Sequence, residues 1–217
     1  MGVQVPPGPL LFRCKMFHLA CPIPHDIVIA CSGGPDSMAL LSFCRSGKKN
    51  VTVIHVDHGT EHAKDARKLV SDYCNSNNIS LNIYEVPEST SHTENNWREF
   101  RLSVYAGYTK AGKWVATAHH LDDAVEWYML TALHGETKFM QPCNSQYKLM
   151  KPFLLVEKEK LIQWCISKNV PYVTDPTNIG EDNSRAILRE SVMPNLLKIH
   201  PGMKISIKNK MLNELRR

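Results

Sequence analysis

The chain has 217 residues, 43% apolar and 22% charged, which suits one sizeable globular domain with at most a small appendage. No apolar run approaches the roughly 20 residues of a membrane-spanning helix, and Met1–Pro24 has no basic start followed by a long apolar core, so it reads poorly as a signal peptide. The net charge of +5 falls in residues 198–217, where Lys198, Lys204, Lys208, Lys210, Arg216 and Arg217 face Glu214 alone; such a run either follows a phosphate backbone or is a solvated terminus.

Met1–Lys15 precede an internal Met16 and read as a dispensable part of a lead-in that ends near residue 25. Ile27–Cys31 is a buried-strand pattern, followed by a glycine turn and a helix through Met38–Cys44. Val51–Val56 is the second strand, and Lys64–Asn75 a helix with Ala66, Leu69, Val70 and Tyr73 along one face. Ser80–Val86 is a third strand, Asn95–Lys110 a helix, Trp114–Ala118 a fourth strand and Asp122–Leu133 a helix. After residue 135 the pattern loosens into a helix at Glu157–Lys168, a polar loop at Thr174–Asn183, and a helix from Ser184 to Leu197 that Pro194 bends or ends early. Met203–Leu215 has the spacing of a short basic amphipathic helix, and no linker demands a second domain.

Strands alternating with helices predict an α/β fold, a parallel Rossmann-like sheet with helices on both faces. Ligands gather at the carboxyl ends of such strands, which singles out the loops after Cys31, Val56 and Ala118. The seven cysteines are scattered with no CxxC pair or zinc-ligand spacing. They indicate a reducing, cytoplasmic setting without structural disulfides, and none has the charged company that marks a catalytic thiol.

The first loop, Ser32-Gly33-Gly34-Pro35-Asp36-Ser37, joins a buried strand to a helix. Adjacent glycines let successive N–H groups converge on an anion, and the helix amino terminus adds partial positive charge. Ser32 and Ser37 can donate hydroxyl hydrogen bonds to phosphate. Asp36 would repel phosphate unless a divalent cation lies between them, which implies Mg²⁺. Neither GxxxxGK[ST] nor GxGxxG is present. The second loop, His55-Val56-Asp57-His58-Gly59, contains an HxxH pair that reads more readily as strand-end packing than as metal ligation. In the third, Asp123 and Glu126 share a face of a helix starting near Asp122, and His119 precedes its first turn. An imidazole and two carboxylates so placed can bind Mg²⁺, move a proton or hold a cationic amine; Asp122 or Asp123 can equally serve as N-cap. Arg185 and Arg189, one turn apart, can clamp phosphate or form ion pairs with Glu181 or Glu190.

The hexapeptide resembles the SGGxDS loop of the N-type ATP pyrophosphatases, the PP-loop superfamily. With it, His55–Gly59, Ala116–Asp123, and Asp175-Pro176-Thr177-Asn178 followed by Arg185, Arg189 and Pro194 resemble the tRNA(Ile)-lysidine synthases over about residues 26–197. The resemblance implies an adenine nucleotide alpha-hydrolase-like domain at 26–197, a lead-in at 1–25 and a basic tail at 198–217. It implies a cytoplasmic ligase that uses ATP and Mg²⁺ to adenylate a cytidine of tRNA, the isoleucine tRNA with a CAU anticodon, and to attach L-lysine. Ser32–Ser37, His55 and Val56 would then bind ATP, Asp36 and Asp123 the metal. Asp36, His119, Asp123, Glu126 and Arg185 would be catalytic, and Arg189, Lys204, Lys208 and Lys210 would contact RNA. Two alternatives stay open: another adenylating enzyme of the superfamily, such as a tRNA thiolase, and a nucleotide- or RNA-binding module without turnover. The chain departs from the family pattern at Ala124-Val125-Glu126-Trp127, where Gln-x-Glu-Thr is usual.

Overall fold

The structure is a computed structural model that describes residues 17–87, 93–174 and 184–215. The expectations for Met1–Lys15, Asp175–Asn178, Glu181, Arg216 and Arg217 lie outside these residues. A six-stranded sheet of β1 (Asp26–Ala30), β2 (Asn50–Asp57), β3 (Ser80–Glu85), β4 (Val115–Ala116), β5 (Cys143–Asn144) and β6 (Leu149–Met150) has the order β3-β2-β1-β4-β6-β5. All neighbours are parallel except the edge pair β5–β6. Sequence pattern did not reveal this hairpin, because two-residue strands carry no period. The fourth strand is also shorter than Trp114–Ala118: the chain leaves the sheet at Thr117, whose hydroxyl lies 2.8 Å from His119 Nδ1.

The alternation of β1 explains the layers. Ile27 and Ile29 face one core, with α1 (Pro35–Ser46), α2 (Glu61–Ser76) and α5 (Lys158–Ser167) above them. Val28 faces the other, with Ile54, Val115 and the tyrosines of α3 (Glu94–Lys110). Helices therefore cover both faces, as a parallel sheet requires. Met38, Leu40 and Leu41 of α1 are fully buried, each such side chain stabilising the fold by about 2 kcal/mol. Phe17, Phe43, Phe153 and Trp164 form an aromatic knot with centroids 5.0–5.6 Å apart, and the Trp164 indole N–H donates to Ser42 Oγ at 3.2 Å.

The remaining described helices are α4 (Leu121–Leu133), α6 (Ser184–Ile187), a π-helical turn over Leu188–Val192, α7 (Met193–Ile199) and α8 (Met203–Leu215). The single helix expected over 184–197 is thus widened just before Pro194. Proline has no N–H and its ring crowds the carbonyl four residues back, which a π turn relieves. Through residue 215 the basic segment is docked: Ile207 and Met211 of α8 are buried against α4. Among the described residues, no helix is long and apolar enough to cross a membrane. Cys21, Cys31, Cys44, Cys74, Cys143 and Cys165 are free thiols. Burial pushes Cys21 up to about 11 and Cys44, Cys74 and Cys165 up to about 12, leaving them protonated core groups.

His58 gives the fold a pH dependence. Its ring packs against Trp97 at 4.8 Å, and burial first, then the charges of Arg101 and His55, lower its pKa to about 4 against the opposing pull of Asp57. The unfolded chain, with its ordinary value near 6.5, takes up the proton first as pH falls. Stability is therefore lost between about pH 6.5 and pH 4. Urea unfolding of His58→Phe is expected to depend less steeply on pH than the wild type in that window; equal slopes would contradict the assignment.

Candidate active site

The loop after β1 sits where neighbouring strands leave β1 in opposite directions, β2 to one side and β4 to the other. This is the switch point at which open parallel sheets bind ligands. The chain is anchored there by the Cys31 N–H on the Ile54 carbonyl at 2.9 Å and by His55 Nδ1, which donates to the Cys31 carbonyl at 2.8 Å. Gly33 has φ +87°, and a Cβ there would lie 3.1 Å from Ala66 Cβ of α2. Both the turn and the close approach of α2 require glycine. The Gly33 carbonyl accepts the Val173 N–H at 3.0 Å, tying the loop to the chain after α5. Among the described residues no side chain caps the amino terminus of α1, which begins at Pro35. Its first-turn N–H groups are thus available to an anion.

The two serines differ. Ser32 is exposed, whereas Ser37 is buried. Ser37 Oγ donates to the Gly34 carbonyl at 3.0 Å and accepts the Ser32 N–H at 3.2 Å. Its hydroxyl holds the loop shut on itself, where sequence reading expected it on phosphate.

The third loop supplies the opposing charges. The N-cap of α4 is His120, not Asp122 or Asp123 as the sequence suggested, and Asp123 Oδ2 accepts the His120 backbone N–H at 2.8 Å. His120 Nε2 faces Asp36 Oδ2 at 3.6 Å and Asp123 Oδ2 at 3.4 Å, and Nδ1 faces Asp122 Oδ2 at 3.7 Å. Burial alone would lower this imidazole, but the nearby carboxylates of Asp36, Asp123 and Asp122 outweigh it and raise its pKa above the ordinary value. His120 lies within the family-like segment Ala116–Asp123 but has no role of its own in the sequence reading; its signal is its place immediately before the helix. His119, the expected member, is bonded to Thr117. Burial first, then the positive charges of Lys151, His120 and Arg185, lower its pKa against Asp123, so it is a neutral base.

Asp36 Oδ1 is buried without a hydrogen-bond partner among the described residues. A carboxylate oxygen left bare suits a hard cation, and Mg²⁺ characteristically takes one or two carboxylates together with phosphate oxygens. Among the described residues, no group of three or more His, Cys, Asp or Glu side chains could cage a metal alone. The donor set therefore fits an ion shared with a nucleotide.

Glu126 and Arg189 meet each other. Arg189 Nε and Nη2 donate to the two carboxylate oxygens of Glu126 at 2.7 and 2.9 Å, and Glu126 is buried. Arg189 comes from the π turn, and its ion pair among the described residues is with Glu126 rather than Glu190. Arg185 is exposed, close enough for its charge to act on His119. Lys204 is paired with Asp122, Lys208 is half-buried and Lys210 is exposed. In the second loop His55 is buried and Val56 half-buried, which favours strand-end packing for the HxxH pair. A cleft of about 450 Å³ beyond it is lined by Asp57, Lys64, Arg67, Lys68 and Glu85 and includes none of the nucleotide candidates.

A PP-loop domain family matches residues 15–196, a stretch that contains the glycine loop, the His120 cluster and the Glu126–Arg189 pair. The chain belongs to the PP-loop domain family. This PP-loop protein is 30% identical over 206 residues to a tRNA(Ile)-lysidine synthase of Acinetobacter baylyi, covering 90% of this chain and 45% of that one. It is 31% identical over 192 residues to a tRNA(Ile)-lysidine synthase of Bacillus licheniformis, covering 79% and 40%. The chain thus spans less than half the length of these relatives. Its fold is similar to that of an NH3-dependent NAD synthetase from Campylobacter jejuni, at 15% identity and a TM-score of 0.50 over 87% of this chain and 84% of that one.

Proposed function

We propose that this PP-loop protein is an ATP-dependent tRNA-modifying ligase of the tRNA(Ile)-lysidine synthase type, acting in the cytoplasm. The single observation that carries the reading is the meeting of Asp36 and Asp123 at His120 beside an uncapped glycine loop; the names of the relatives supply the substrate class. The carbonyl oxygen of a tRNA cytidine attacks the α-phosphorus of ATP and pyrophosphate leaves. The amine of L-lysine then forms a C–N bond to the activated carbon, and AMP leaves with that oxygen.

The residues divide this work by position. Backbone N–H groups between Ser32 and Ser37 receive the phosphates, and His55 and Val56 flank the nucleoside. Asp36 and Asp123 would hold Mg²⁺, which supplies positive charge against the departing pyrophosphate. Arg185 neutralises the adenylate. His119, neutral by burial, takes the proton that the lysine ammonium must lose, with Asp123 orienting the amine. Glu126 enters through Arg189, whose charge it already matches. Of the four cations expected at RNA, Arg189 and Lys204 are engaged in ion pairs, which leaves Lys208 and Lys210 for a phosphate backbone. The isoleucine tRNA with a CAU anticodon is the acceptor proposed.

Mass spectrometry of nucleosides from tRNA treated with the protein, ATP, Mg²⁺ and lysine tests the reading. A cytidine joined to lysine with loss of water is expected. Pyrophosphate release with unmodified cytidine would point to another nucleophile, and no release with any acceptor would leave a binding module.

A further inference from the structure

Asp122 is a junction between the catalytic cluster and the terminal helix. Its Oδ1 is paired with the Lys204 ammonium, and its Oδ2 accepts the Lys158 backbone N–H at 3.1 Å. The same Oδ2 lies 3.7 Å from His120 Nδ1, too far for a hydrogen bond, and that Nδ1 is buried with no partner among the described residues. On the opposite edge of the ring, Nε2 faces Asp36 and Asp123 at 3.6 and 3.4 Å. The imidazole is thus suspended between carboxylates on two sides. Which side it joins depends on how strongly Asp122 is engaged elsewhere.

Lys204 is delivered by α8. Ile207, three residues on, is buried with Leu121 and Val125, and Met211, a turn further, with Ala124. That helix begins at Met203, beyond the stretch 15–196 that the PP-loop family matches.

We propose that Lys204 is a positioning residue for the nucleotide site: by occupying Asp122 it keeps His120 turned toward Asp36 and Asp123, so that docking of α8 completes the catalytic centre. Without Lys204, a carboxylate only 18% exposed is short of a cation, and the nearest replacement is the His120 ring. Rotation toward Asp122 draws Nε2 away from Asp36 and releases that carboxylate from its only described ion-pair partner. The inference rests on the adenylation reading for its kinetic test alone.

The test compares wild type, Lys204→Met, Lys204→Arg and Asn209→Ala in the full chain, Asn209 being an exposed residue of the same helix. In Lys204→Met the His120 Cε1–H resonance at one fixed pH is expected to move, and kcat for pyrophosphate release to fall about tenfold with KM for ATP within twofold. Lys204→Arg restores both, and Asn209→Ala changes neither. An unmoved His120 resonance in folded Lys204→Met, or a loss of melting temperature with kcat unchanged, would reduce Lys204 to a docking contact and overturn the proposal. If wild type itself releases no pyrophosphate, the adenylation reading has failed, and the resonance comparison still decides the positioning claim.

Discussion

Replacing Asp36 with alanine is expected to lower pyrophosphate release by about 10³-fold, with the circular dichroism spectrum unchanged and the melting temperature within about 3 °C of wild type. Asp36 lies in the first turn of α1 with a quarter of its side chain exposed, so its removal opens no core cavity. Its chemistry is another matter. A carboxylate at the amino end of a helix aimed at polyphosphate is electrostatically wrong unless a cation stands between, and its bare Oδ1 is the oxygen such a cation needs. The same residue faces His120 Nε2 from the other oxygen. Asp36→Asn keeps the volume and loses only the charge, and the same loss is expected. Activity within tenfold of wild type in either variant contradicts the metal role.

The paired glycines give the second large effect, and they should separate. Gly33→Ala forces a side chain into φ +87° and sets its Cβ 3.1 Å from Ala66 Cβ and 3.3 Å from Ala66 Cα. The backbone strain costs about 1–2 kcal/mol, and α2 must give way in addition. A melting temperature lower by roughly 4–8 °C is expected, together with loss of ATP binding. Gly34 has φ −73°, and among the described residues a Cβ there meets nothing nearer than Ser32 Oγ at 3.6 Å. Gly34→Ala should therefore melt like wild type, yet lose nucleotide affinity about tenfold because the methyl group stands where phosphate must approach the backbone. Calorimetric titration with an ATP analogue checks both. Equal affinity in Gly34→Ala and wild type would mean that phosphate does not approach this turn.

Local chemistry was legible in the sequence wherever it was local in the fold. The run of β-branched residues before Ser32, the glycine turn and the helix after it are contiguous, and the structure places them as read, with α1 starting at Pro35. The face of α2 and the bounds of α8 followed from apolar spacing. What escaped depends on tertiary meetings. His120 becomes central only because α4 brings it against Asp36, and Glu126 finds Arg189 only because a π turn delivers that arginine. Lys204 and Arg189, read as charges for RNA, have internal partners that net charge cannot reveal. The β5–β6 pair is too short to leave a pattern and is held by its register with β4.

A crystal structure of the full chain with a non-hydrolysable ATP analogue and Mg²⁺ decides whether the glycine loop is the phosphate site. The β- and γ-phosphates are expected against the backbone N–H groups of Gly33, Gly34, Asp36 and Ser37, with the cation touching Asp36. A triphosphate bound elsewhere, with that turn left free, would contradict it.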